Sequence, residues 1–100
     1  MAKIKIASAD ELRPGQLKVV ETETGNIALF NVGGNFFATS NTCLHKGGPL
    51  GEGELGNSVV TCPWHGWQYD VTTGENLTNP SRPVRTYKVT VENGDVFLEI

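Results

Sequence analysis

The sequence predicts an all-β domain, and three observations carry that prediction. Eight short runs rich in β-branched and aromatic residues punctuate the 100-residue chain, several alternating apolar with polar positions. Glycine-containing turn signals fall between them. The only helix-start signal, Ser8-Ala9-Asp10-Glu11, is a capping box followed closely by Pro14-Gly15, so it supports at most a turn or two of helix.

In order, the predicted strands are KIKIA near the start, QLKVVET, NIALFNV, NFFATS, NSVVT, WQYD, TYKVTVE and DVFLEI. Thr24-Gly25-Asn26, Gly33-Gly34, Thr73-Gly74 and Asn93-Gly94 supply turns. The last is the strongest signal, because Asn-Gly between two apolar runs is the preferred two-residue hairpin loop. The strand pattern breaks between Asn41 and Gly56, where glycine takes five of sixteen positions, and again from Gly74 to Pro83. This divides a single domain spanning residues 1–100 into a β scaffold, about 1–40 and 83–100, and a loop-rich insertion, about 41–82. Loops held by rigid strands are where function concentrates.

Composition excludes several classes. One hundred residues supports one modest core. A net charge of −3 without clustered Lys or Arg argues against nucleic acid as a partner. No apolar run approaches a membrane span, and MAKIKIASAD lacks a secretory apolar stretch, so a cytoplasmic location and no membrane partner are expected. A disulfide between the two cysteines is the lesser alternative, since a chain without a secretory signal uses paired thiols more naturally for metal binding or catalysis.

Both cysteines, both histidines and both tryptophans fall within residues 43–67, CLHKGGPLGEGELGNSVVTCPWHGW. The candidate ligands are Cys43-x-His45, then sixteen residues, then Cys62-x-x-His65. Each half offers one thiolate and one imidazole, and two such loops side by side would bring four ligands to one point. A Cys2His2 set is a zinc site or an iron–sulfur site. Structural zinc usually takes both cysteines from one knuckle and both histidines from another. Here each loop provides one of each. If the thiolates bind one metal and the imidazoles another, the centre is binuclear and asymmetric, as in two-iron centres where two His replace two Cys on one iron.

Cys-Leu-His-Lys-Gly-Gly-Pro-Leu and Cys-Pro-Trp-His-Gly-Trp resemble the two cluster-binding boxes of the Rieske iron–sulfur family, and in detail those of its small soluble ferredoxins. The resemblance covers essentially the whole chain, with the flanking strands matching as a pattern. It implies a Rieske-like antiparallel β-sandwich with an inserted, loop-rich cluster-binding subdomain. It also implies one 2Fe-2S cluster, with Cys43 and Cys62 on the inner iron and His45 and His65 on the outer one. Gly47, Gly48 and Gly66 would let backbone N–H groups approach the sulfurs, although they also make turns. Pro80 and Pro83 resemble the family's third loop, a stiff cover over the cluster, and Trp64 would share in shielding it. Membrane-complex members of the family carry an anchor and a further cysteine pair, both absent here. They also place a serine where this chain has Trp67, and a tyrosine where it has Tyr69.

The function implied is a monomeric one-electron carrier, not an enzyme, taking electrons from a flavin-containing reductase and passing them to a terminal oxygenase or similar acceptor. No G-x-G-x-x-G follows a strand, so nothing here binds a flavin or nicotinamide. A complete Rieske oxygenase also needs a mononuclear iron held by two more histidines, and the chain's two histidines are already committed. A small Rieske-like subunit of a nitrite reductase-type complex and a zinc-binding interaction module are the alternatives.

Overall fold

The structure is a computed structural model that describes residues 3–23, 25–42, 48–64 and 66–99. Nine strands follow in chain order among these residues: β1 (Lys3–Ser8), β2 (Leu17–Thr22), β3 (Gly25–Val32), β4 (Asn35–Ser40), β5 (Glu54–Gly56), β6 (Val59–Thr61), β7 (Gln68–Asp70), β8 (Thr86–Glu92) and β9 (Asp95–Glu99). Single 3-10 turns stand at Ala9–Glu11 and Leu50–Glu52. The first is the predicted short helix, and the Glu11 carboxylate accepts the Ser8 N–H at 2.7 Å, as the glutamate of a capping box does.

Six strands form one antiparallel sheet in the order β1-β9-β8-β4-β3-β2, and three form a smaller one in the order β5-β6-β7. The large sheet comes from both ends of the chain and the small sheet from between them. β8 joins β4 only through the pairs Ala38↔Tyr87 and Thr39↔Thr86, whereas it runs beside β9 from Lys88 to Glu92. The Asn93-Gly94 turn has φ of 51° and 79°, both left-handed, which matches the twist of the flanking strands and explains the strong hairpin signal.

β3 organises the interior. Its residues Ile27, Ala28, Leu29 and Phe30 are each at most 2% exposed, so both faces of the strand are covered. Side chains alternate along a strand, so they divide between two cores. Ile27 and Leu29 pack with Ala7, Leu12, Ala38, Val96 and Leu98, joining the two halves of the large sheet. Ala28 and Phe30 pack with Leu50, Val60, Cys62, Tyr69, Val71 and Val84, joining the large sheet to the small one. That two-sided burial is why NIALFNV reads as a continuous apolar run rather than an alternating one. Truncating Leu29 to Ala would cost about 2–5 kcal/mol. The second core also reaches Cys62, which ties the expected site to the scaffold.

Two differences from the sequence expectation stand out. β5 is not legible in the sequence, because Glu54-Leu55-Gly56 is short and flanked by glycine. NSVVT begins as a strand only at Val59, since Asn57 takes φ of 54° and turns the chain back from β5 into β6.

Candidate metal centre

Of the four predicted ligands, Cys62 is described. Cys43, His45 and His65 lie outside the described residues, as does Gly47. β6 delivers Cys62 to the end of the small sheet, where it is 2% exposed within the second core. Its N–H donates to the Trp67 carbonyl at 2.7 Å, closing the 62–67 loop at its base. The Trp64 N–H donates to the Cys62 Sγ at 3.4 Å. Gly66 takes φ of 75°, a left-handed conformation that glycine adopts without strain and that turns the loop back toward β7.

On either side of residues 43–47 the chain is clamped. Thr42 and Pro49 form an antiparallel bridge. The Asn41 carbonyl accepts the Leu50 N–H at 2.8 Å, and its side-chain Oδ1 accepts the Gly51 N–H at 2.7 Å. Asn41 is buried, and a Cβ at Gly51 would press 2.7 Å from the Val19 Cγ2, so the Leu50–Glu52 turn lies flat against β2. At Gly53 an added Cβ would overlap the Thr61 carbonyl, so this backbone is wedged against β6.

These anchors bring the two boxes together. A Cβ built on Gly48, in the first box, would stand 2.9 Å from the Cys62 Sγ and 2.9 Å from the Trp64 Cγ, both in the second. Only a residue without a side chain fits there. Trp64 therefore leans its inner atoms on Gly48 while remaining 50% exposed. Trp67 and Tyr69 face inward instead, Trp67 against the second core and Tyr69 fully buried within it.

A third segment lies alongside. Residues 75–78 run next to β7 through the Asp70 N–H to the Glu75 carbonyl (2.8 Å), the Leu77 N–H to the Gln68 carbonyl (2.8 Å) and the Gln68 N–H to the Thr78 Oγ1 (3.0 Å). This is the loop that carries Pro80 and Pro83, both exposed. Neither Asn41 nor the fully buried Asn76 was singled out by sequence reasoning. The available signal was turn chemistry, since asparagine amides bond backbone groups a few residues away.

A buried sulfur that receives a backbone N–H, set against a glycine in which any Cβ would fill the space, is the environment an iron–sulfur thiolate requires. The family model described as the Rieske [2Fe-2S] domain matches residues 2–88. The chain belongs to the Rieske family. A similar protein is the ferredoxin component of biphenyl 2,3-dioxygenase from Rhodococcus jostii (strain RHA1), 40% identical over 101 residues covering 100% of this chain and 94% of that one. Among solved structures, the Sphingomonas yanoikuyae B1 ferredoxin superposes with a TM-score of 0.91 at 31% identity, covering 99% of each chain. A complex of reduced oxygenase and oxidised ferredoxin in carbazole 1,9a-dioxygenase matches with a TM-score of 0.89 at 33% identity, covering 96% of this chain and 91% of the matched one.

The cofactor of this Rieske chain is one 2Fe-2S cluster, and the protein is an electron-transfer component rather than a catalyst. Its antiparallel two-sheet architecture is the one the sequence predicts. Beside Cys62, a surface groove of about 440 Å³ is lined by Glu52, Gly53, Glu54, Thr61, Pro63 and Gly66. Among the described residues the lysine–carboxylate pairs lie elsewhere, on the scaffold: Lys3–Glu92, Lys5–Asp95, Lys18–Glu11 and Lys88–Glu99. Among the described residues, Glu52 and Glu54 make the lining of this groove acidic. No helix among the described residues is long and apolar enough to cross a membrane.

Proposed function

We propose that Cys43, His45, Cys62 and His65 hold the cluster, the thiolates on its inner iron and the imidazoles on its outer iron. On this reading the protein carries single electrons from a flavin-containing reductase to a terminal oxygenase. The approach of Gly48 to Cys62 and Trp64 supports the ligand set most directly, because it sets the first box against the second. When bound, the cluster supplies a one-electron couple. The residues around it do the rest. Burial of Cys62 among Leu50, Val60 and Tyr69 keeps water from the inner sulfur, and the Trp64 N–H stabilises negative charge on it.

The partner assignment is supported by relatives named as ferredoxin components of biphenyl and p-cumate dioxygenase systems, and by the solved oxygenase–ferredoxin complex. The flavin reductase rests on the resemblance to such ferredoxins, together with the lack of a nucleotide-binding fingerprint in this chain. The same resemblance supports a cytoplasmic monomer, organised as a single domain over residues 1–100 with its cluster-binding insertion at about 41–82.

The test is reconstitution. Purified protein is expected to show the visible absorption and electron paramagnetic resonance of a two-iron centre with mixed Cys and His ligands. It should also restore substrate oxidation when added to a nicotinamide-fed flavin reductase and a Rieske oxygenase. Replacing Cys62 by Ser should abolish both, since a hydroxyl is a poor ligand for this iron. A Cys62→Ser protein with full iron content and an unchanged spectrum would remove the ligand assignment.

A further inference from the structure

Asn76 is the least exposed polar side chain in the loop that follows β7, at 0% exposure, and the structure uses both the oxygen and the nitrogen of its amide. Oδ1 accepts the Thr78 N–H at 3.0 Å and the Asn79 N–H at 2.8 Å. Nδ2 donates across the loop to the Arg82 carbonyl at 3.0 Å. The backbone of the same residue bridges to Tyr69 on β7. An ordinary asparagine turn needs only the acceptor oxygen. Here the donor is also used, and it spans from one limb of the loop to the other.

The loop is closed below this strut as well. The Val84 N–H donates to the Gly74 carbonyl at 2.8 Å, and a Cβ at Gly74 would lie 2.5 Å from the Val84 carbonyl oxygen. Val84 then enters the same core as Cys62 and Tyr69. On the other limb, Leu77 and Thr78 bond both backbone groups of Gln68, just past the 62–67 loop whose base is the Cys62 N–H to Trp67 carbonyl contact. The crest of the loop, with Pro80 and Pro83, is therefore fixed relative to the second box at two places. The Asn76 amide stands between these two fixings and joins the limbs of the loop through Thr78, Asn79 and Arg82.

We infer that Asn76 is a positioning residue for the cluster: its buried amide holds the loop of residues 77–83 closed beside Gln68, the residue that follows the second box, and so sets water access to the centre and its potential. The inference rests on the reading that Cys62 and His65 are ligands. Without the amide, the part-buried Thr78 and Asn79 N–H groups and the Arg82 carbonyl lose their shared partner. The loop opens to recover water, and the crest moves with it. Water admitted beside the centre favours the reduced, more negatively charged form.

The experiment compares wild type, Asn76→Ser and Thr78→Val in the cluster-loaded protein. Serine is too short to reach the Arg82 carbonyl, and valine removes the hydroxyl that receives the Gln68 N–H while keeping the shape of an exposed residue. For Asn76→Ser, bleaching of the visible spectrum by excess iron chelator should accelerate about tenfold. The midpoint potential should rise, and amide exchange at Thr78 and Asn79 should speed up while β8 and β9 exchange as in wild type. Thr78→Val should move the same readouts in the same direction by less, and it decides the matter if Asn76→Ser fails to load. Wild-type chelation rates and potentials in both variants would overturn the inference, even with amide exchange altered, because the loop would then be structural only. Cys62→Ser separates the two claims. If it keeps the spectrum, the ligand reading falls and takes this inference with it. If it loses the spectrum while the loop variants behave as wild type, only this inference falls.

Discussion

The backbone of Gly48 lies so close to Cys62 that a Cβ at position 48 would stand 2.9 Å from its Sγ. The same Cβ would lie 2.9 Å from the Trp64 Cγ, and neither neighbour is the free end of a long side chain. Cys62 is buried and Trp64 is held near its backbone, so relief must come from movement of one box away from the other.

Gly48→Ala is therefore predicted to separate the two boxes. No positive φ is involved, so the cost is steric, about 1–3 kcal/mol as for other overpacked sites. The effect on cluster binding should be larger than the effect on the scaffold. Expected are low iron content after reconstitution and a chemical unfolding midpoint that shifts only modestly in the cluster-free protein. Full iron content with a wild-type spectrum would show that the contact yields easily.

The scaffold was legible because its signals are local. Asn93-Gly94 specified its hairpin, and β8 and β9 matched TYKVTVE and DVFLEI to within a residue. The family was legible because the two motifs that carry the resemblance stand at fixed spacing, and the Rieske domain match over residues 2–88 bears the resemblance out. β5 was not, since Glu54-Leu55-Gly56 becomes a strand only by pairing with Val59–Thr61. The burial of Asn41 and Asn76 was not legible either. A polar residue goes inside when its amide meets backbone groups across a closed loop, and loop closure is a tertiary fact. Trp64 shows the same limit, because the sequence could not tell a tryptophan facing the core from one left half exposed by a neighbouring glycine.

Charge near the centre predicts how partners dock. Residues 41–80 contain Lys46 against Glu52, Glu54, Asp70 and Glu75, while the rest of the chain holds seven charges of each sign. Glu52 and Glu54 are exposed and line the groove beside Cys62. A partner with a basic docking patch is expected, with electron transfer slowing as salt is added, because screening at 0.15 M ionic strength shortens electrostatic reach to about 8 Å. Stopped-flow transfer with the cognate reductase checks this, and Glu52→Gln/Glu54→Gln together should flatten the salt dependence. A rate indifferent to ionic strength would count against it.

At the opposite end of the chain, Glu11 carries a prediction about acid. Chiefly the Ser8 N–H, and then the Lys18 ammonium at 2.9 Å, hold its carboxyl below its ordinary value of 4.5. A folded value below the unfolded one means that the contribution is present in full above about 4.3–4.5 and is lost as pH falls through the lowered folded value. The side chain is exposed, so the effect is small. Carboxyl carbon titration by nuclear magnetic resonance should place the Glu11 midpoint below 4.5. The stability gap between wild type and Glu11→Gln should narrow on acidification through that region. A gap that widens would contradict the assignment.

The reduction potential follows from charge and from hydrogen-bond donors. On the proposed ligand set of two thiolates and two neutral imidazoles, with two sulfides and two ferric ions, the oxidised centre would be formally neutral and the reduced one would carry a single negative charge. A four-thiolate centre begins two charges more negative, so it accepts an electron less readily. Histidine ligation therefore raises the potential into a span of about −150 to +300 mV. Within that span, hydrogen bonds to sulfur favour the more negative, reduced form. Position 67 carries an indole packed against the core rather than the serine hydroxyl of the membrane-complex relatives, and the chain has no further cysteine pair to stiffen the loops. Both differences lower the potential. A midpoint in the lower part of that span, between about −150 and 0 mV, is expected, within reach of a flavin donor. Trp67→Ser should raise it, provided the smaller side chain leaves the 62–67 loop closed, which the Cys62 N–H to Trp67 carbonyl bond favours because it uses only backbone. Direct voltammetry decides the matter, and a wild-type midpoint above about +100 mV at neutral pH would exclude the low-potential assignment.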